Sequence, residues 1–161
     1  QKYIDYYSAV KNHNTIQFDE HDHMPRWSHF LLGDWLKTSN KKTLIVTNTE
    51  QTITAGYKDR FGCEHIRSIK LQPSLLIIQD VISGFNDKAV LRFRLAPVAW
   101  KLVGNTIISE LCTINFSADV TIKRIEITTG FESRYYYQES EIPVLEIEVH
   151  ESGTLTTEVQ F

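Results

Sequence analysis

Leu145-Glu146-Ile147-Glu148-Val149 alternates apolar and acidic residues without a break, and Leu91-Arg92-Phe93-Arg94-Leu95 alternates apolar and basic ones in the same way. In an extended chain successive side chains point to opposite faces, so a period of two marks a strand with one face in a core and one in water. Outward from these runs, Leu75-Leu76-Ile77-Ile78 followed by Val81-Ile82 is apolar on both faces, which suits a central strand covered on both sides. In Val120-Thr121-Ile122-Lys123-Arg124-Ile125-Glu126-Ile127 the alternation slips at Lys123-Arg124, where a β-bulge would return both halves to one face. Turn residues separate the runs at Gln72-Pro73-Ser74, Ser83-Gly84-Phe85-Asn86-Asp87, Gly104-Asn105 and Glu151-Ser152-Gly153.

Strand signals therefore dominate from about Thr43 onward. Many short strands with regular turns and no long helical pattern predict an all-β fold, an antiparallel β-sandwich, as a single domain over residues 1–161. The first forty residues read less simply. Trp27, Phe30, Leu31 and Trp35 fall at helical spacing, but Pro25 and Gly33 interrupt it, and the stretch reads as loop plus strand.

Composition narrows the function classes. A chain of 161 residues, 42% hydrophobic and 23% charged, is ordinary for a globular domain. A net charge of −3 argues against a nucleic-acid partner, since neutralising phosphates requires a concentrated basic surface. It leaves room for an anionic sugar polymer held by a local cluster of Arg, Lys and His. No apolar run reaches the length of a membrane span. The chain opens on Gln1-Lys2-Tyr3, which reads as a piece excised from a larger protein. Cys63 and Cys112 show no metal-site or redox spacing, so two buried thiols are favoured over a disulfide.

His13-Asn14-Thr15 precedes the strand-like Ile16-Gln17-Phe18-Asp19; Gly56-Tyr57 and His65-Ile66-Arg67 follow. Next come Leu75 to Gly84, Phe93-Arg94-Leu95-Ala96-Pro97, and a closing segment from Glu132-Ser133-Arg134-Tyr135-Tyr136 through Ile142-Pro143-Val144-Leu145-Glu146 to Leu155-Thr156-Thr157. In this order the motifs resemble the heparinase II/III family of polysaccharide lyases along nearly the whole chain. The resemblance implies the C-terminal part of a β-sandwich that lacks its N-terminal α/α toroid domain. It also implies a parent enzyme that cleaves uronic-acid polysaccharides by β-elimination in the periplasm or outside the cell. The family's upstream His-x-Asp segment and catalytic Asn, His and Tyr would lie outside this chain, leaving it inactive alone, with no catalytic residue of its own.

Uronate β-elimination removes a weakly acidic proton beside a carboxylate and expels the 4-O-linked sugar. Donors or cations that neutralise the carboxylate stabilise the enolate-like transition state, while a base and an acid handle the protons. The resemblance makes His13 a ligand of zinc or another divalent metal in the full-length protein; alone, it reads as a His at a strand start bonding to backbone. A metal site needs three or four ligands, so none is expected to be retained by this chain. Tyr57, His65 and Arg67 are candidate substrate-binding residues. His65 and Arg67 share one strand face, where they would meet sugar carboxylates, brace the toroid interface, or form a plain polar patch. Tyr57 would bond a sugar or pack against a turn.

Trp27, Trp35 and Trp100 are candidate stacking platforms, set against a core or interface role; Trp27, beside Arg26, is the best placed. His21 and His23 flank Asp22 and could chelate a metal from a strand, but a solvated loop is favoured. Arg92 and Arg94 read as a solvated strand face, and the tyrosines at 135, 136 and 137 as strand packing. Two other functions compete with the lyase reading: a carbohydrate-binding sandwich that works without catalysis, and a structural accessory module. A sandwich cut from its parent would expose a sheet edge and a docking face, so self-association is expected.

Overall fold

The computed structural model describes residues 2–28, 31–135 and 138–161. A short helix α1 (Lys2–Ser8) and a 3₁₀ turn (Val10–Asn12) lead into β1 (Ile16–Phe18). Then come β2 (Lys37–Val46), β3 (Gln51–Lys58), β4 (Glu64–Gln72), β5 (Leu75–Ser83) and β6 (Ala89–Arg94). The chain continues through β7 (Lys101–Val103), β8 (Thr106–Ile108), β9 (Thr113–Ala118), β10 (Ile122–Glu132), β11 (Ser140–Val149) and β12 (Gly153–Gln160). All pairings are antiparallel, in a four-stranded sheet of order β1-β6-β11-β10 and an eight-stranded sheet of order β2-β3-β4-β5-β12-β9-β8-β7.

The alternating runs do what their period requires. Leu145, Ile147 and Val149 are buried while Glu146 and Glu148 face outward, and β6 buries Leu91 against them in register (Leu91 opposite Ile147). Ile16 and Phe18 of β1 close this layer. Opposite lie Ile82 of β5, Leu155 of β12, Ile114 and Phe116 of β9, and Ile107 of β8, forming one apolar core between the sheets. Each buried aliphatic side chain contributes about 1.5–3 kcal/mol by leaving water. The β10–β11 register shifts between Ile122 and Arg124, so a bulge at Lys123 lets Ile122 and Ile125 both stand opposite core residues, as the slip in the pattern predicts.

Four expectations need correction. α1 is a helix within the first forty residues, which read as loop plus strand; among the described residues from Pro25 to Trp35, which exclude Phe30, the chain is loop with a bridge pairing Arg26 with Leu32, as expected. β5 is central in its sheet but covered on one face only: Ile78 and Ile82 are buried, whereas Val81 is 43% exposed. Arg92 and Arg94 are not a solvated face. Arg92 pairs with Glu146 at 2.6 Å and reaches Gln17, Arg124 joins Glu146, Glu148 and Glu126 beside it, and Arg94 bonds the carbonyl of Phe131. Tyr135 lies beyond the end of β10 and is exposed, while Tyr136 and Tyr137 lie outside the described residues.

The sheets are unequal, and the larger overhangs the smaller. On the β2–β3 hairpin Leu44, Ile45, Val46 and Ile53 remain exposed. Lys37, Lys41 and Lys42 lie along β2, the free edge, and charge there opposes pairing with another strand.

Candidate functional site

A buried polar cluster sits where the His-Asn-Thr segment crosses the large sheet. Register builds it: His65 of β4 stands opposite Tyr57 of β3, and Arg67 opposite Asp80 of β5. Asp80 is fully buried, and a lone carboxylate there would be costly unless paired. It accepts from His65 Nε2 and from Arg67 Nε, each at 2.6 Å, and from a second Arg67 nitrogen at 3.2 Å. Burial pushes the Asp80 carboxyl up, but the bonds from His65 and Arg67 outweigh it and hold the group below the usual carboxylate range.

Arg67 also reaches out of the sheet. Its third nitrogen donates to the Asn14 carbonyl at 2.7 Å, and its guanidinium lies 5.7 Å from the centre of the Phe93 ring. The Asn14 side chain accepts from the Arg94 backbone N–H at 2.7 Å, and the Thr15 carbonyl accepts from the Arg92 N–H at 3.1 Å. His23, buried, donates from Nε2 to the Ile16 carbonyl at 2.7 Å; that proton fixes the tautomer, and the Tyr57 hydroxyl lies 2.9 Å from the same nitrogen. Burial lowers the His23 pKa, so the imidazole is neutral, and burial raises that of Tyr57, which also bonds the Thr15 hydroxyl and keeps its proton. Residues 14–16 are thereby clamped from both sides.

Asp19 finishes the clamp. At φ 45° its carboxylate accepts the backbone N–H groups of Asn86, Asp87 and Lys88 and ties β1 to the turn before β6. An Asp at the end of this strand is thus an anchor for the β5–β6 turn. His13 itself, at the end of the 3₁₀ turn, is exposed. Among the described residues it belongs to no group of three ligating side chains.

The fold therefore brings Tyr57, His65 and Arg67 together and sets them beside the segment carrying His13. It does not bring Trp27 to them. That residue sits beside the bridge pairing Arg26 with Leu32, 65% exposed, its indole resting on Gly33, where a β-carbon would come within 2.3 Å of the ring. Trp35 is exposed as well, while Trp100 packs against the core and donates to the Ala96 carbonyl.

The Asp19–His23 run is a loop, as expected, with Glu20 and Asp22 exposed, but its side chains have partners: His21 meets Asp59, Asp22 accepts the Val10 N–H, and buried His23 holds Ile16. The two imidazoles go to different partners and do not chelate together. Asp80 and His23 were missed as members of the cluster. A single acid inside Leu75–Ser83, otherwise rich in apolar residues, is the signal that would have found Asp80. For His23 the sequence offers none beyond its spacing from His21. Cys63 and Cys112 are both free thiols, Cys63 buried and Cys112 half-buried. Burial, with the nearby carboxylates of Asp59 and Asp19, pushes the Cys63 thiol up to about 12.

Two antiparallel sheets packed in this way define a β-sandwich domain. The chain superposes on a heparinase III gene product with a TM-score of 0.80 at 12% identity, over 97% of this chain and 25% of that one. It superposes on the heparan sulfate lyase HepC from Pedobacter heparinus with a TM-score of 0.74 at 14% identity, over 99% of this chain and 25% of that one. This chain thus spans about a quarter of the length of those structures, whose remainder is consistent with a separate N-terminal domain. The family model described as heparinase II/III-like, C-terminal, matches residues 4–142, and the chain belongs to that family. No curated protein matches it. Among the described residues no helix is long and apolar enough to cross a membrane.

Proposed function

We propose that this chain is the C-terminal domain of a polysaccharide lyase that cleaves a uronic-acid-containing polymer by β-elimination. In this reading it forms one wall of the substrate groove and is inactive by itself. The observation that carries it is the clamp on residues 14–16: a buried ion pair, a neutral histidine and a carboxylate anchor are all spent on one short segment, and that segment presents His13 at the surface. Rigid support of this kind is what a site assembled from two domains requires.

Tyr57, His65 and Arg67 then act mainly through position, holding the His13 segment against the sheet. Trp27, with its exposed indole, offers the polymer a stacking face. The α/α toroid domain would supply the opposite wall and the acid–base groups, and His13 one metal ligand. The parent protein would work in the periplasm or outside the cell.

The test is an ultraviolet assay for unsaturated uronate product, run on the full-length parent and on this chain with a panel of uronic-acid polymers. Activity in the parent, lost in His13→Ala and absent from this chain, is expected. A parent silent on every polymer, joined to saturable polymer binding by this chain that Trp27→Ala removes, would overturn the proposal in favour of a non-catalytic carbohydrate-binding module.

A further inference from the structure

The turn from β3 to β4 is tightly built. The Asp59 N–H donates to the Cys63 carbonyl at 2.9 Å, the Gly62 N–H donates back to the Asp59 carbonyl at 3.2 Å, and Gly62 takes a φ of 90° that favours glycine. One oxygen of Asp59 accepts the backbone N–H groups of Phe61 and Cys63, each at 2.9 Å. This leaves the other oxygen aimed at His21 Nε2, 2.8 Å away.

The Cys63 sulfur completes the group, the three donor atoms lying within 4.8 Å of one another. Asp59 and Cys63 are buried, and the His21 side chain is 19% exposed, with the Phe61 ring 4.3 Å from its own. On the far side, the Gly84 carbonyl lies 3.5 Å from the sulfur. Gly84 itself, at φ 84°, leaves no room for a side chain, since a β-carbon would meet the Gly62 carbonyl at 2.5 Å.

We infer that His21, Asp59 and Cys63 form a binding site for a thiophilic divalent cation, with zinc the best fit. One imidazole, one carboxylate and one thiol are borderline-soft donors of the kind zinc takes, whereas calcium and magnesium call for oxygen alone. Tetrahedral zinc places such donors ~3.5 Å apart. The pair now at 2.8 Å must therefore open slightly, and the sulfur, within 4.8 Å of both, must close in, with the partly exposed imidazole free to adjust.

The cation takes the place of the proton between His21 and Asp59. That proton shifts to Nδ1, so His21 binds through Nε2 as a neutral imidazole, and Cys63 releases its thiol proton to solvent. Three protein ligands leave a fourth position for water. Bound metal would pin the loop after β1 to the β3–β4 turn, without using His13.

Cobalt(II) is the probe, added to the reduced, metal-stripped 161-residue chain. The expected result is a thiolate-to-cobalt charge-transfer band in the near ultraviolet that saturates at one equivalent and is displaced by zinc. Cys63→Ser removes the band. His21→Ala, a change at a partly exposed site, should keep the fold by circular dichroism and weaken cobalt at least about tenfold, the loss expected even for an outer-shell partner. His13→Ala and Cys112→Ser should leave the band intact. No band in the folded wild-type chain at millimolar cobalt, a band lost with Cys112→Ser or His13→Ala, or one unaffected by His21→Ala would each overturn the proposal.

Discussion

Replacing Asp80 with asparagine keeps the shape of the side chain and removes its charge. In the wild-type chain this fully buried carboxylate accepts from His65 and twice from Arg67. Breaking a buried pair by neutralising one partner costs about 3–5 kcal/mol, because the other charge stays in place without compensation. The Arg67 side chain is 20% exposed and keeps some hydration, which points to the lower end, about 3 kcal/mol. With a urea dependence of about 2 kcal/mol per molar, the unfolding midpoint should fall by about 1.5 M.

The damage should also have a place. Arg67 aligned by Asp80 holds the Asn14 carbonyl, and the same segment takes the N–H groups of Arg92 and Arg94. Amide exchange at Arg92 and Arg94 should therefore accelerate in Asp80→Asn by more than global destabilisation accounts for. A midpoint that falls by less than about 0.5 M would refute the reasoning, as would unchanged exchange on β6.

The Asp80 carboxyl has a folded pKa below its ordinary value, so the unfolded chain takes up protons first on acidification. Its contribution is complete above the ordinary carboxylate range and is lost as pH falls through the folded value; Asp80→Asn should flatten that limb in urea melts across acid pH. Burial lowers His23 likewise, so stability should begin to decline below its ordinary 6.5, a change absent from His23→Gln in the same series. Leu145→Ala, at a fully buried position between the sheets, should cost about 3 kcal/mol by thermal or urea unfolding. Asn14→Ala removes the acceptor of the Arg94 N–H and should cost about 1 kcal/mol in the chain by urea unfolding.

The layered architecture was legible because strand periodicity is local: Leu145–Val149 and Leu91–Leu95 declare their faces without reference to the rest of the chain. The bulge at Lys123 was legible for the same reason, since one extra residue breaks an otherwise strict count. Site residues were legible in part. His65 and Arg67 share a face by spacing alone, and Tyr57 joins them once β3 pairs with β4.

Asp80 was not legible, because its meeting with His65 and Arg67 depends on the register of two strands, 15 and 13 residues apart in the chain. The same holds for His23, which is drawn into the core by a backbone carbonyl seven residues away. Expecting β5 to be covered on both faces failed because its second apolar face stays partly exposed. α1 was missed because seven residues carry too short a pattern to separate from loop.

The overhang of the large sheet has a consequence for how the molecule comes apart. β2 is paired into the sheet through β3, and β3 through β4, with Tyr57 of β3 also reaching His23, while the paired layers that bury Leu91, Leu145 and Ile147 lie elsewhere. Such an arm opens as its own cooperative unit, at a free energy well short of that needed to open the core. Amides of β2 and β3 should then exchange on a faster tier than those of β11. The chain carries two stabilities in one domain, and a solvent or a neighbouring surface that melts or captures the arm would leave the sandwich beneath it standing while the His13 clamp loses its Tyr57 contacts.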